Sequence, residues 1–283
     1  MNPEVSIIVA SYKNPHILNL CLDSLLKNIN NLKYEIIVVD GETGEETEDL
    51  MREKYSEIKF LPNKKNVGFG ALVNQGTAAA KGEFYFIINA DIVIKPGVVE
   101  KSIEYIKNNL DIGILSPKMI NFDKSIQPSC FRFYTPLTIV YRRTFLKNFG
   151  FAKNHLKNFS MNFSGKLKKI IEPDWVMGSA IAISKKNFDK IGRMDLRFFM
   201  YFEDVDLCWR CWENELKVIY NPELAVYHYH GAQSSNKNAL KAVLFNKYSR
   251  IHIASALKFF LKNLGKKNPH KEYNKKFKKI TNE

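Results

Sequence analysis

Short apolar runs and amphipathic stretches alternate through the first part of the chain. Val5 to Ala10 is apolar apart from Ser6, and Pro15 to Leu26 sets Ile17, Leu18, Cys21, Leu22 and Leu25 on one helical face. The same alternation predicts strands at Tyr34 to Asp40, Ile58 to Leu61 and Glu83 to Asn89, with helices at Glu45 to Tyr55 and Gly70 to Ala80 between them. A helix over Pro96 to Asn109 and a strand over Ile112 to Ser116 extend the series. Strands that alternate with helices imply an α/β fold, a mostly parallel sheet covered by helices on both faces. Ligands of such sheets sit beyond the carboxyl ends of the strands, where Asp40 and Asp91 both stand.

Over residues 121–171 the periodicity fails. Basic, aromatic and proline residues dominate there, among them Pro128, Arg132, Tyr134, Tyr141, Arg142 and Arg143, and this variable region is expected to bind the acceptor. Order returns over Asp174 to Ile183 and again over Val218 to Tyr229. Ala239 to Leu264 carries Leu240, Val243, Leu244, Ile251, Leu257 and Leu261 near helical spacing and leads into a lysine-rich end. The expected organisation is one domain over residues 1–235, then an amphipathic helix and basic tail over residues 236–283.

With 283 residues, 45% of them hydrophobic, the chain is long enough to bury a full core. Its net charge of +14 is partly a property of the tail, where nine lysines between Lys258 and Lys279 face only Glu272 and Glu283. An amphipathic helix followed by lysines suits an anionic membrane surface, and a solvated, frayed end is the plainer alternative. No apolar run approaches the roughly 20 residues that cross a bilayer, and the start of the chain lacks the pattern of a signal peptide. The expected location is the cytoplasm, with peripheral contact at the inner face of the cell membrane. Four scattered cysteines, Cys21, Cys130, Cys208 and Cys211, do not form a disulfide framework and agree with a reducing compartment.

Three distant polar clusters, each at the tip of an apolar element, carry the candidate chemistry. Phe198 to Phe202 is a wall of apolar side chains that ends in Glu203, Asp204 and Asp206, and carboxylates beside so much apolar surface are costly unless they are used. The structural alternative is a helix start capped by Glu203 and Asp204, with Asp206 paired to Arg210 four residues on. Asp91, at the end of a strand, is either a turn residue or a ligand for a hard divalent cation, and His228 supplies a nitrogen that suits Mn²⁺. Asn66 to Gly70 opens a helix after a strand, and its two glycines permit close approach of a phosphate or ribose, or simply make the turn. Cys208 and Cys211 with His228 and His230 invite a zinc reading. A single residue between the histidines, and cysteines on the expected core face of a helix, argue against it.

In this order the segments resemble the family 2 glycosyltransferases of GT-A fold, particularly their rhamnosyltransferase-like members. The resemblance covers residues 4–232 and rests on Val5 to Tyr12, Ile37 to Asp40, Asn66 to Gly70 with Asn74 and Gly76, Asn89-Ala90-Asp91, Trp175 to Gly178, Phe202 to Leu207 with Arg210, and His228. It implies an inverting transferase that moves a sugar, rhamnose being one candidate, from a nucleotide-diphosphate donor to a saccharide or lipid-linked saccharide in cell-surface polysaccharide synthesis. The donor would contact Ala10, Tyr12, Asp40, Asn66, Gly68, Asn74, Asn89 and Asp91. Mn²⁺ or Mg²⁺ would sit on Asp91 and His228, Trp175, Met177, Gly178 and Glu203 would line the sugar or acceptor pocket, and Asp204 would be the catalytic base. Asn89 stands where the family's metal motif commonly has its first Asp, as it does in related rhamnosyltransferase-like sequences. Gly41 to Gly44 replaces the commoner segment after Asp40.

Two other functions compete. A sugar-nucleotide nucleotidyltransferase shares the sheet but needs a glycine-rich, basic loop after the first strand, of which Ser11 to Pro15 is a poor version. A basic nucleic-acid-binding protein would explain the charge and the aromatics interleaved with arginine from Phe131 to Tyr141. The acidic mouth formed by Asp40, Asp91, Glu203 and Asp204 argues against it, so no nucleic-acid partner is expected.

Overall fold

A computed structural model of the protein describes residues 2–161, 169–229 and 246–280. The strands are β1 (Val5–Ser11), β2 (Tyr34–Asp40), β3 (Lys59–Pro62), β4 (Phe84–Asn89), β5 (Ile92–Ile94), β6 (Ile112–Ile120), β7 (Ile126–Gln127), β8 (Cys130–Phe131), β9 (Trp175–Val176), β10 (Ala180–Ser184) and β11 (Lys217–His228). The helices are α1 (Pro15–Asn28), α2 (Glu45–Lys54), α3 (Phe69–Ala79), α4 (Val98–Asn108), α5 (Pro136–Arg143), α6 (Gly150–Phe159), α7 (Lys185–Lys190), α8 (Glu203–Glu213), α9 (Lys247–Lys262) and α10 (Pro269–Ile280). The main sheet runs β3-β2-β1-β4-β10-β6-β11-β5, with β7 beside β6, and β8 pairs β9 separately. The layered α/β architecture expected from the alternating pattern is present, but the sheet is mixed rather than mostly parallel: β1 to β4 pair in parallel, while β10 lies antiparallel to β4 and β6, and β5 antiparallel to β11.

Alternation along β1 divides the core between the two faces. Val5, Ile7 and Val9 pack with Leu18, Leu22 and Leu25 of α1, while Ile8 and Ala10 point to the opposite side, toward Val73 of α3 and the aromatics around α8. Burial on both faces is what a strand between helical layers requires. Helix α1 starts where Pro15 sets its first turn and the Asn14 side chain accepts from the Ile17 N–H.

The structure departs from the sequence pattern in three places. β6 continues to Ile120, and β5, three residues long, follows Asp91 directly. The irregular region also contains order: the described residues between 121 and 171 include β7, β8, α5 and α6. Helix α5 begins with a Thr135–Thr138 capping box and Pro136, but its eight residues are too few to establish a period. Finally, the lysine-rich end is helical and packed over its described residues. Helix α10 packs on α8 through a stack of Trp212 on His270, centroids 3.9 Å apart, and the His270 Nδ1 is 2.8 Å from buried Asp174. Of the expected helix over 239–264, residues 239–245 lie outside the described residues.

Candidate active site

Strand pairing gathers the site. Ser11 of β1 is in register with Asp40 of β2, and Ala10 with Asn89 of β4. Because β10 runs antiparallel to β4, its beginning lies at the same edge, and the Asn89 N–H donates to the Ser179 carbonyl at 3.0 Å. The antiparallel pair of β11 and β5 sets His228 opposite Ile92, and the Tyr229 N–H donates to the Asp91 carbonyl at 2.8 Å. A cavity of about 1070 Å³ opens over this edge. Its wall includes Ala10, Tyr12, Asn66, Asn89, Asp91, Trp175, Met177, Gly178, Glu203 and Asp204, ten of the residues expected from the sequence.

Unsatisfied polar atoms concentrate at the same edge. Ser11 Oγ, both Asp40 carboxylate oxygens, Asn89 Oδ1, Asp91 Oδ1 and Glu203 Oε2 are buried with no hydrogen-bond partner among the described residues. Buried polar atoms normally find partners, so such a cluster is the signature of a ligand site. Asp40 stands below the cavity wall rather than on it, completely buried. Tyr12 donates to Glu42 Oε2 at 3.2 Å, and Lys13 is ion-paired with Glu42 at 2.5 Å, so the lysine after β1 is already engaged.

Gly68 and Asn74 act differently from expectation. The Asn74 side chain exchanges two hydrogen bonds with the backbone of Met194, at 2.9 and 3.0 Å, away from the cavity. At Gly68, φ is +87° and an added Cβ would lie 2.2 Å from the Phe199 carbonyl oxygen. Both residues brace the segment that leads into α8. Gly68→Ala is expected to lower stability by about 2 kcal/mol or more, since it combines left-handed strain with a backbone clash. A denaturant titration that places the variant within a few tenths of a kcal/mol of the parent would refute this reading.

The start of α8 is held under strain. Tyr201 and Phe202 are consecutive non-glycine residues with φ of +65° and +69°, an uncommon backbone for bulky side chains. Helix α9 secures them: the Ser255 hydroxyl donates to the Met200 carbonyl at 2.9 Å, and Lys258 donates to the Arg197 carbonyl at 2.8 Å. The turn delivers Glu203 and Asp204 side by side to the cavity. Asp204 Oδ2 accepts from the Gly178 N–H at 3.1 Å and Oδ1 from the Val205 N–H at 2.8 Å.

Burial raises both acids, but unequally. Desolvation lifts Asp204 to about 6, while the backbone donors at Gly178 and Val205 oppose the rise. Desolvation, and then the neighbouring Asp204 charge, push Glu203 well above the ordinary carboxylate range. Two adjacent carboxyls pushed apart in this way divide the work: Glu203 retains the proton, and Asp204 ionises first.

Asp91 and His228 form the candidate metal pair, with His228 Nε2 3.3 Å from Asp91 Oδ1. Gln127 Oε1 lies 2.7 Å from His228 Nδ1, so a proton donated there turns an Nε2 lone pair toward the carboxylate. Among the described residues no group of three or more His, Cys, Asp or Glu is arranged to hold a metal ion by itself. The donor set thus fits a cation that takes its remaining ligands from substrate phosphates.

The zinc alternative does not form. Cys208 and Cys211 are buried in the core with thiols driven upward by desolvation, and His230 lies outside the described residues. Asp206 follows its structural alternative: fully buried, it binds Arg210 at 2.8 Å and Lys262 at 2.5 Å. On the far wall stand Tyr134, Arg142 and Arg143, from the region expected to bind the acceptor, together with Ser249 and His252 of α9, which sequence reasoning missed. Trp175 stacks on Phe131 with centroids 4.7 Å apart, and Arg142 donates to the Tyr134 hydroxyl at 2.5 Å. Burial and the two guanidinium groups hold His252 down at about 3, a neutral imidazole. Ser249, His252, Ala256 and Phe259 make one stripe of α9, a signal available from spacing alone.

The sequence model of glycosyl transferase family 2 matches residues 6–172. An N-acetylglucosaminyl-diphospho-decaprenol L-rhamnosyltransferase of Mycobacterium tuberculosis is 25% identical over 216 residues, 72% of this chain and 68% of that one. A dolichol-phosphate mannosyltransferase of Pyrococcus furiosus is 31% identical over 113 residues, 39% of this chain but only 32% of its own length. Among solved structures, a mannosyltransferase of Pyrobaculum calidifontis in complex with GDP-Man and Mn²⁺ superposes with a TM-score of 0.54 at 15% identity, over 94% of this chain and 71% of that one.

Proposed function

This chain belongs to glycosyl transferase family 2, and on that premise we propose that it moves a sugar, with inversion, from a nucleotide-diphosphate donor to a saccharide or lipid-linked saccharide acceptor. The observation that carries the proposal is the meeting of Asp91, Asp204 and the orphaned polar atoms of β1, β2 and β4 around one cavity edge. Asp40 and Ser11, both buried without partners, suit the N–H groups of a nucleobase, with Tyr12 and Asn66 beside it. Asn89 suits a ribose hydroxyl. Mn²⁺ or Mg²⁺ held by Asp91 and His228 would neutralise charge on the departing diphosphate. Trp175, Met177 and Gly178 shape the pocket for the transferred sugar and the acceptor.

Asp204 is the base. Its ionised carboxylate takes the proton from the acceptor hydroxyl as that oxygen attacks the anomeric carbon, and the bond to the nucleoside diphosphate breaks on the opposite face, which inverts the centre. Glu203, protonated beside it, offers a hydrogen bond to a sugar hydroxyl while leaving Asp204 the only negative charge of the pair. Rhamnose is the sugar favoured by resemblance, and the product would belong to cell-surface polysaccharide. Synthesis on a lipid-linked acceptor places the reaction at the cytoplasmic face of a membrane, with the protein as a peripheral partner. Among the described residues no helix is long and apolar enough to cross one.

The test is a donor panel of uridine, thymidine and guanosine diphosphate sugars, scored by release of nucleoside diphosphate in the presence of acceptor and Mn²⁺. Since the base must be ionised, kcat/KM for the productive donor should rise with pH through about 6 and level off above it. A profile that falls across that window, or turnover with no member of the panel, would defeat the assignment.

A further inference from the structure

Five of the nine tail lysines expected to meet a membrane have partners among the described residues. Lys262 binds Asp195 and Asp206, Lys266 binds Glu213, Lys275 binds Glu272, Lys276 binds Glu215, and Lys258 holds the Arg197 carbonyl. A different surface has what the tail lacks. On the turn between α5 and α6, Phe145, Phe149 and Phe151 are 68%, 50% and 58% exposed. Their rings form one contiguous group, with centroids 6.3 Å apart for Phe145 and Phe149 and 5.9 Å for Phe149 and Phe151. Leu137 and Val140 on the preceding helix are exposed as well.

Charge specifies what covers these rings. From Lys124 to Ile171 the chain has no Asp or Glu and ten Lys or Arg. Lys147, Lys153 and Lys157 are exposed on the same turn and helix, and none of them has an ion pair among the described residues. Exposed aromatics among unpaired cations are the composition that settles at the headgroup level of an anionic bilayer. Helix α9 also exposes Leu257 and Leu261, but the lysines beside them, Lys258 and Lys262, are tied down. The same two helices reach the cavity: Arg142 and Arg143 of α5 and Leu156 and Phe159 of α6 line it.

We propose that the α5–α6 hairpin, through Phe145, Phe149 and Phe151 and the surrounding lysines, docks the protein on an anionic lipid bilayer and turns the acceptor side of the cavity toward the membrane. Aromatic rings enter the interface and lysines meet lipid phosphates. A lipid-linked acceptor then reaches the cavity without leaving the bilayer. Docking itself requires no particular sugar or nucleotide, so it stands or falls separately from the transferase assignment.

The experiment is flotation with vesicles of phosphatidylcholine mixed with phosphatidylglycerol, against vesicles of phosphatidylcholine alone, without donor. The parent protein should float with the mixed vesicles and be released by salt. Phe145→Ser/Phe149→Ser/Phe151→Ser, and separately Lys147→Glu/Lys153→Glu/Lys157→Glu, should each weaken partitioning by about tenfold or more. Lys267→Ala/Lys271→Ala, before and within α10, should leave it unchanged. Cooperative thermal unfolding followed by circular dichroism, at a midpoint close to the parent's, establishes that each variant is folded. Equal flotation of the aromatic variant and the parent, no flotation of the parent, or loss confined to the C-terminal variant would each overturn the proposal. So would sedimentation showing that the three rings pair two copies of the chain in solution.

Discussion

Asp204→Asn is expected to reduce kcat by about 10²- to 10⁴-fold, the range that a positioned base contributes, while the affinity for nucleoside diphosphate stays within about twofold of the parent. The amide keeps the shape and still accepts one backbone hydrogen bond at the Gly178 or Val205 N–H, so the cavity wall persists. Stability should not fall either. The folded-state value of about 6 lies above the ordinary 3.8, so this group's contribution to stability is complete below about pH 4 and lost as pH rises through 6. At pH 8 the parent carries a buried charge that the variant lacks, and its thermal midpoint should be no higher than the variant's. Steady-state transfer assays with calorimetric titration of the nucleotide separate the effects. Transfer at the parental rate would remove Asp204 from the base role, and loss of nucleotide binding would reassign it to the donor site.

Asp91→Asn should remove the dependence of nucleotide binding on divalent cation. Ligand-supporting changes around metals cost about 10- to 100-fold in affinity, and loss of the carboxylate itself should cost at least that. In the parent, chelation should weaken nucleoside diphosphate binding, and Mn²⁺ or Mg²⁺ should restore it. In the variant, titrations with and without Mn²⁺ should coincide. Calorimetry reads this without any turnover, so it remains informative where the acceptor is unknown. Parental, Mn²⁺-dependent affinity in the variant would show that Asp91 is a turn residue after all.

Part of the proposed donor side was legible before folding was considered, because it lies at the ends of strands. A strand is a short apolar run, its last residue is set by the run's length, and parallel pairing must bring such ends to one edge. Asp40 and Asp91 follow from that rule alone, whereas Ala10 and Asn89 were named only by the family resemblance. Asp204 was legible for another reason: carboxylates following Phe198 to Phe202 imply costly burial, and costly burial implies use.

Other features depend on partners distant in sequence. Gly68 and Asn74 look like ligand residues from their place at a helix start, but Phe199 and Met194, more than a hundred positions away, occupy them. Likewise, Lys262, Lys266 and Lys276 look like free charges until Asp195, Asp206, Glu213 and Glu215 are brought beside them. The division of protonation between Glu203 and Asp204 is also tertiary, since it depends on their burial and on the Gly178 N–H, which arrives from the turn between β9 and β10.

By itself, then, the amino-acid order determined the layered α/β scheme and which acids stand at element tips, since periodicity and chain termination of strands are local properties. Only the folded chain decided which of those polar groups remain unsatisfied, because hydrogen bonds and ion pairs between remote segments either consume a side chain or leave it for a ligand.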